Sequence, residues 1–137
     1  MTQPSTPSSD YMLLFRNAGA ETHAHLSAEE RRELAAAWNA WYDGLAREGK
    51  VTHGQPLELS GRLVSGPRGQ RVTDGPFAES KEVVGGYFML TVSDLDEATR
   101  IAQQCPGLPL GIVVEVRPIA TVSPVLEDLA GRPPRNA

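Results

Sequence analysis

Two patterns alternate along this chain: short runs of consecutive apolar residues, and longer stretches in which apolar residues recur every three or four positions. Residues 11–16 (YMLLFR) form the first run, with Met12 and Leu14 on one side of an extended backbone and Tyr11, Leu13 and Phe15 on the other. Side chains of a strand point alternately to its two faces, so this run predicts a strand covered on both. A helix follows. Leu34, Trp38, Trp41 and Leu45 are spaced four, three and four apart and make one apolar stripe, while most of the charged residues between Glu29 and Arg47 fall away from it. Ser27 with Glu30 three positions on is a capping box, and Gly49 suits a left-handed residue beyond the helix end.

The middle of the chain carries a weaker pattern. Leu57, Leu59, Leu63 and Val64 predict a strand over residues 58–64, then a Gly/Pro turn, then a short strand over 70–73. Residues 86–92 (GYFMLTV) form a strong strand, again apolar on both faces. Ser93 and Asp96 repeat the capping spacing, and Leu95, Ala98, Ile101, Ala102 and Cys105 predict a second amphipathic helix closed by Pro106-Gly107. Residues 111–118 (GIVVEVRP) supply the last core strand. A turn of helix is expected over 125–129.

Strand, helix, strand or hairpin, strand, helix, strand is the order of an α+β domain of ferredoxin-like βαββαβ type, an antiparallel sheet with two helices on one face. Two helices cover one side of such a sheet, yet its strands are apolar on both. A second copy of the chain is the economical cover, so a homodimer with sheets packed face to face is expected. Residues 1–10, rich in Ser, Thr and Pro, read as a flexible arm; residues 11–120 form the domain, and 121–137 a tail.

Composition narrows the function classes. The 137 residues are 40% hydrophobic and 22% charged, as in one globular domain, with a net charge of -4. That balance argues against a sequence-independent grip on nucleic acid, which requires clustered cations. The N-terminus lacks the basic and apolar regions of a signal peptide, and no apolar run reaches membrane-spanning length. With the single Cys105 excluding an intrachain disulfide, a cytoplasmic location is expected. The Ala-, Arg- and Pro-rich usage suits a bacterial, GC-rich genome. No phosphate loop, zinc signature or nucleophile elbow is present, and no cofactor is expected. His23 and His25 with Glu21 (ETHAH) have no third ligand that the sequence identifies, so a solvated loop is expected there rather than a metal.

The most distinctive segment is residues 72–88 (VTDGPFAESKEVVGGYF). Asp74 can accept backbone N–H bonds, Gly75 permits positive φ and Pro76 fixes its own φ, which together predict a turn anchored by Phe77. DGPF followed by AESKE, then GGYF, a helix ending in CPG and a strand ending in EVRPI, resembles the DGPF family within the YCII-related proteins. The resemblance runs over about residues 11–119. It implies a dimeric α+β barrel built from ferredoxin-like subunits, with function mostly unassigned; some members resemble proteins encoded beside extracytoplasmic-function sigma factors. The wider group associates a His and an Asp with a pocket, the Asp preceding a Pro after the second helix. This chain has Cys105 before Pro106 there, and His23 or His25 would stand for the histidine.

The candidate ligand-binding residues are Asp74, Glu79, Ser80, Lys81, Glu82 and Tyr87. Carboxylates near a lysine can separate their pKa values, leaving one to act as acid or base while Lys81 holds an anion. The alternative for the same residues is structural: Asp74 caps its turn, Lys81 pairs with Glu79 or Glu82 at the surface, and Tyr87 packs an interface. Trp38 and Trp41 are expected in the core, and Cys105 as a buried thiol. Two functions stay open, a small-molecule-binding protein with acid–base capacity and a non-catalytic regulatory or interaction module. The residues define no reaction.

Overall fold

The computed structural model describes residues 9–16, 23–75 and 83–126. Its elements are β1 (Ser9–Arg16), α1 (Ala28–Arg47), β2 (Val51–Pro56), β3 (Gly61–Ser65), β4 (Arg71–Gly75), β5 (Val84–Val92), α2 (Leu95–Ala102) and β6 (Val113–Pro118), with a 3-10 turn at Leu108–Leu110. Four strands form one antiparallel sheet in the order β2-β5-β1-β6, and β3 pairs β4 in a separate hairpin. Setting that hairpin aside, the chain is βαββαβ with β1 and β5 at the centre. This is the expected ferredoxin-like α+β fold.

The capping box forms as its spacing requires: the Glu30 N–H donates to Ser27 Oγ at 3.0 Å and the Ser27 N–H to Glu30 Oε1 at 2.8 Å. Gly49 takes φ 73° just past the helix. The second cap lies one residue later than the spacing predicts. Asp94 is the N-cap and accepts from the Glu97 N–H at 2.8 Å, while the Ser93 N–H and hydroxyl both donate to Glu97 Oε1. Asp and Ser are equally good caps, so spacing alone does not choose between adjacent candidates.

Tyr11, Leu13 and Phe15 of β1 and Phe88, Leu90 and Val92 of β5 are buried beneath the helices, with Leu13 and Leu90 fully inaccessible. From α1, Leu45 is buried and Trp38, Trp41 and Tyr42 pack on this core; α2 adds Ala98, Ile101 and Ala102. The rings of Phe15 and Trp38 meet edge to face at 4.9 Å, as do those of Phe15 and Phe88 at 5.0 Å. On the other sheet face, Met12, Leu14, Tyr87 and Met89 are half-buried within the single chain. Cys105 is buried, as expected, and its Sγ accepts the Gly107 N–H at 3.4 Å; burial pushes the thiol pKa up.

The middle of the chain departs from its predicted form. The expected strand over 58–64 is replaced by β2, which ends at Pro56, and by β3, which begins at Gly61; the expected strand over 70–73 lengthens into β4. β2 escapes an apolar-pattern reading because it is an edge strand with only Val51 buried. Its backbone pairing with β5 holds it, including a bulge between Val51 and His53. The Asp74-Gly75 turn is likewise corrected: both residues end β4, Asp74 opposite Arg62, and Gly75 is not in the left-handed region. The hairpin reverses instead at Gly66 and Gly69, with φ of 96° and 69°. In the tail, the Leu126 N–H donates to the Ser123 carbonyl in a turn, and the rest of the expected 125–129 helix lies outside the described residues.

Candidate functional site

A cleft of about 540 Å³ lies between α1 and one end of the sheet. Its sheet side follows from register. On the helix-facing side of the strands, Phe15 stands opposite Gly86 and Gly86 opposite Pro56; one pair further along, Phe88 stands opposite Gly54. Two of these positions are glycine where the rest of the face carries large side chains, and neighbouring rings and backbone take up the room a side chain would need. Neither glycine can be replaced freely. A Cβ at Gly54 would stand 2.6 Å from Phe88 Cδ1 and 3.1 Å from Tyr42 Cε2, and one at Gly86 would meet the Gln55 carbonyl oxygen at 3.1 Å and Pro56 Cα at 3.3 Å.

The helix side is Ala35, Trp38, Asn39 and Tyr42, positions three and four apart on one face of α1. Between the two sides the cleft reaches Phe15, Phe88 and Ile112, with His23 and Gln55 also lining it. Among the described residues, the side chains of His23, Asn39 and Gln55 have no hydrogen-bond partner in the protein. The cleft thus combines an aromatic interior with a few polar side chains at its exposed rim, the usual make-up of a small-molecule site.

The sequence-derived candidates are not among these lining residues. Asp74 lies on the hairpin, its side chain 99% exposed and 4.0 Å from Arg62 Nε. Tyr87 is on the opposite face of the sheet, where its hydroxyl is 2.6 Å from Nδ1 of His53. Glu79, Ser80, Lys81 and Glu82 lie outside the described residues. Of the histidines, His23 reaches the cleft and its carbonyl accepts from Arg31 Nη2 at 3.1 Å; His25 is exposed. Cys105 does not line the cleft. No cluster of three or more His, Cys, Asp or Glu able to hold a metal occurs among the described residues.

Sequence reasoning passed over Trp38, Asn39, Tyr42, Gly54 and Gln55. Trp38 is a core residue as expected and also a wall of the cleft. The available signals were modest: Tyr42 widens the apolar stripe beyond one side chain per turn, and Gly54 interrupts an extended segment, often a sign of close backbone approach. Glu115 and Arg117, on the open sheet face, pair within the chain at 3.0 Å, and Arg16 also approaches Glu115 at 3.7 Å.

The four-stranded order with two helices on one face defines the class, a ferredoxin-like α+β protein. The family model of the YCII-related domain matches residues 10–122, and the chain belongs to that family. It is similar to an uncharacterized protein of Rhizobium meliloti (strain 1021), 30% identical over 118 residues that cover 83% of this chain and 94% of the relative. No helix among the described residues is long and apolar enough to cross a membrane.

Proposed function

We propose that this YCII-related protein is a homodimeric, cytoplasmic small-molecule-binding protein whose ligand occupies the cleft between α1 and the glycine-floored end of the sheet. The observation that carries the reading is the cleft itself. Its volume of about 540 Å³ falls inside the usual range for ligand sites, about 300–1,000 Å³, and its interior of four aromatic rings is edged by amides and an imidazole. Glu79, Ser80, Lys81 and Glu82 remain candidate contributors of acid–base groups, whereas Asp74 and Tyr87 stand apart from the cleft, one exposed on the hairpin and one on the other sheet face. The homodimer reading rests on the half-buried Met12, Leu14, Tyr87 and Met89 of the helix-free sheet face.

Ala35 offers the test, because it lines the cleft from an exposed position on α1 and can be enlarged without entering the core. A metabolite library screened by thermal shift is expected to yield compounds that raise the wild-type melting temperature and leave Ala35→Phe unmoved. Hits that stabilise both proteins equally, or no hits, would overturn the reading.

A second reading, a non-catalytic interaction module, is favoured by one observation. Leu57, Leu59, Leu63, Val64 and Val72, in and beside the β3–β4 hairpin, are all exposed, Leu59 to 69%. A two-stranded hairpin is marginal by itself, and apolar residues on one suit a protein partner.

A further inference from the structure

We infer that two copies of this chain join through the free edges of their β6 strands, paired antiparallel about a two-fold axis at Val116. The inference deepens the homodimer proposed above and rests on it. Three features of β6 lead to it.

The first is which edge is open. In the order β2-β5-β1-β6 the sheet ends in two outer strands, β2 and β6. β2 is blunted in the ways edge strands usually are: a bulge lies between Val51 and His53, and Gly54 and Pro56 interrupt the strand. β6 pairs with β1 in unbroken register from Val113 to Pro118, and among the described residues no strand pairs with its other side.

The second is the direction of its backbone groups. The Ile119 N–H donates to the Asp10 carbonyl at 2.9 Å, and bonded and non-bonded positions alternate along an antiparallel pair. Glu115 and Arg117 therefore bond toward β1, while the N–H and C=O of Val114 and Val116 and the C=O of Pro118 point to the free edge. With the axis at Val116, each copy of that residue exchanges both backbone bonds with its counterpart. Each Val114 N–H then reaches the carbonyl of the partner's Pro118, a residue with no N–H of its own to offer.

The third is side-chain order. On the helix-free face β6 presents Val113, Glu115, Arg117 and then Ile119, an apolar, acidic, basic and apolar sequence in which all but the half-buried Glu115 are exposed. Reversed about Val116, this order is its own complement. Glu115 stands opposite the partner's Arg117, and Val113 opposite the partner's Ile119. These are non-hydrogen-bonded positions of the new ladder, where facing side chains come closest. Moving the axis to Glu115 or Arg117 sets like charges opposite each other, and moving it to Val114 sets Glu115 against valine, so charge selects the register. On the other face Val114 and Val116, already packed on the core, meet the partner's Pro118 and the partner's Val116. The axis leaves the helix-free faces of both copies on one side of the joined sheet, so curling along the seam covers Met12, Leu14, Tyr87 and Met89 in the same dimer.

The test reads dimer dissociation by sedimentation. Glu115→Arg and Arg117→Glu, each checked for a wild-type circular dichroism spectrum, are expected to weaken the dimer about tenfold or more by setting like charges across the seam. An equimolar mixture of the two should return to the dimer mass, because the cations of one chain then face the carboxylates of the other. Each chain in that mixture still lacks its own Glu115–Arg117 pair, which spans 3.0 Å in the wild type. A mixture that stays dissociated would therefore assign the loss to the pair within the chain and overturn the inference. Register is read by cross-linking at two exposed positions. Val113→Cys mixed with Ile119→Cys should give a disulfide-linked dimer on mild oxidation, and neither should alone, the native Cys105 being buried. No cross-link in the mixture, or equal cross-linking of either variant by itself, would overturn the pairing, and this arm decides if a charge variant fails to fold. Charge variants as dimeric as wild type would remove β6 from the interface and leave the homodimer standing, whereas a monomeric wild type removes both.

Discussion

Gly54 shows how much one residue decides in this protein. It lies on an edge strand, opposite Phe88, with the Phe88 and Tyr42 rings occupying the space a side chain would need. Gly54→Ala forces those rings to move, and overpacking of this kind costs about 1–3 kcal/mol. The expected result is a lower urea midpoint together with weaker binding of any cleft ligand; an unchanged midpoint would show that the rings are not held as described. Cys105 illustrates the converse. It is buried before Pro106, where its Sγ accepts the Gly107 N–H, and burial raises its thiol pKa.

Among the elements, α2 is held to the end of α1 by a small polar knot. The N–H and hydroxyl of Ser93, followed by the Lys50 ammonium at 3.0 Å, hold the Glu97 carboxyl down at about 2. Hydrogen bonding to Glu97, and then to Glu48, raises the Lys50 pKa in return. Because the folded carboxyl lies below its unfolded value of 4.5, its stabilising contribution is complete above that value and is lost as pH falls through about 2. Glu97→Gln is therefore expected to melt about 3 °C below wild type at pH 7, the scale of a lost helix cap. The gap should narrow steadily between about pH 5 and pH 2, as followed by thermal unfolding at each pH. A gap independent of pH would assign the effect to packing instead.

At the scale of the whole molecule, the sheet has one face buried under α1 and α2 and another bearing Met12, Leu14, Tyr87 and Met89 beside the Glu115–Arg117 pair. The proposed dimer covers that second face. Light scattering is expected to return about 30 kDa, twice the chain's 14.8 kDa, at micromolar concentration. Leu14→Lys, placing a charge on that face, should drive the mass toward the monomer with the far-ultraviolet circular dichroism unchanged. A monomeric wild type would refute the dimer. The cleft lies on the helix side, so its ligand tests are independent of this one.

Legibility followed the strength of local signals. The capping box at Ser27, the stripe from Leu34 to Leu45, the two central strands and the left-handed Gly49 are each specified by residues near one another in the chain. Their formation and the ferredoxin-like order could be read without a structure. β2 could not, because an edge strand is held by backbone bonds to β5 and needs no apolar alternation of its own. The candidate site was less legible still. The segment from Asp74 to Tyr87 is chemically conspicuous, whereas the cleft is lined by Gly54 and Gly86, 32 positions apart and on adjoining strands, together with Trp38 and Tyr42 of α1. The sequence by itself determined the helices, the central strands and the family, since those depend on local periodicity and motif. Only the tertiary structure decided where a ligand-sized space exists, since a space is defined by residues that strand pairing and helix packing bring together from distant parts of the chain.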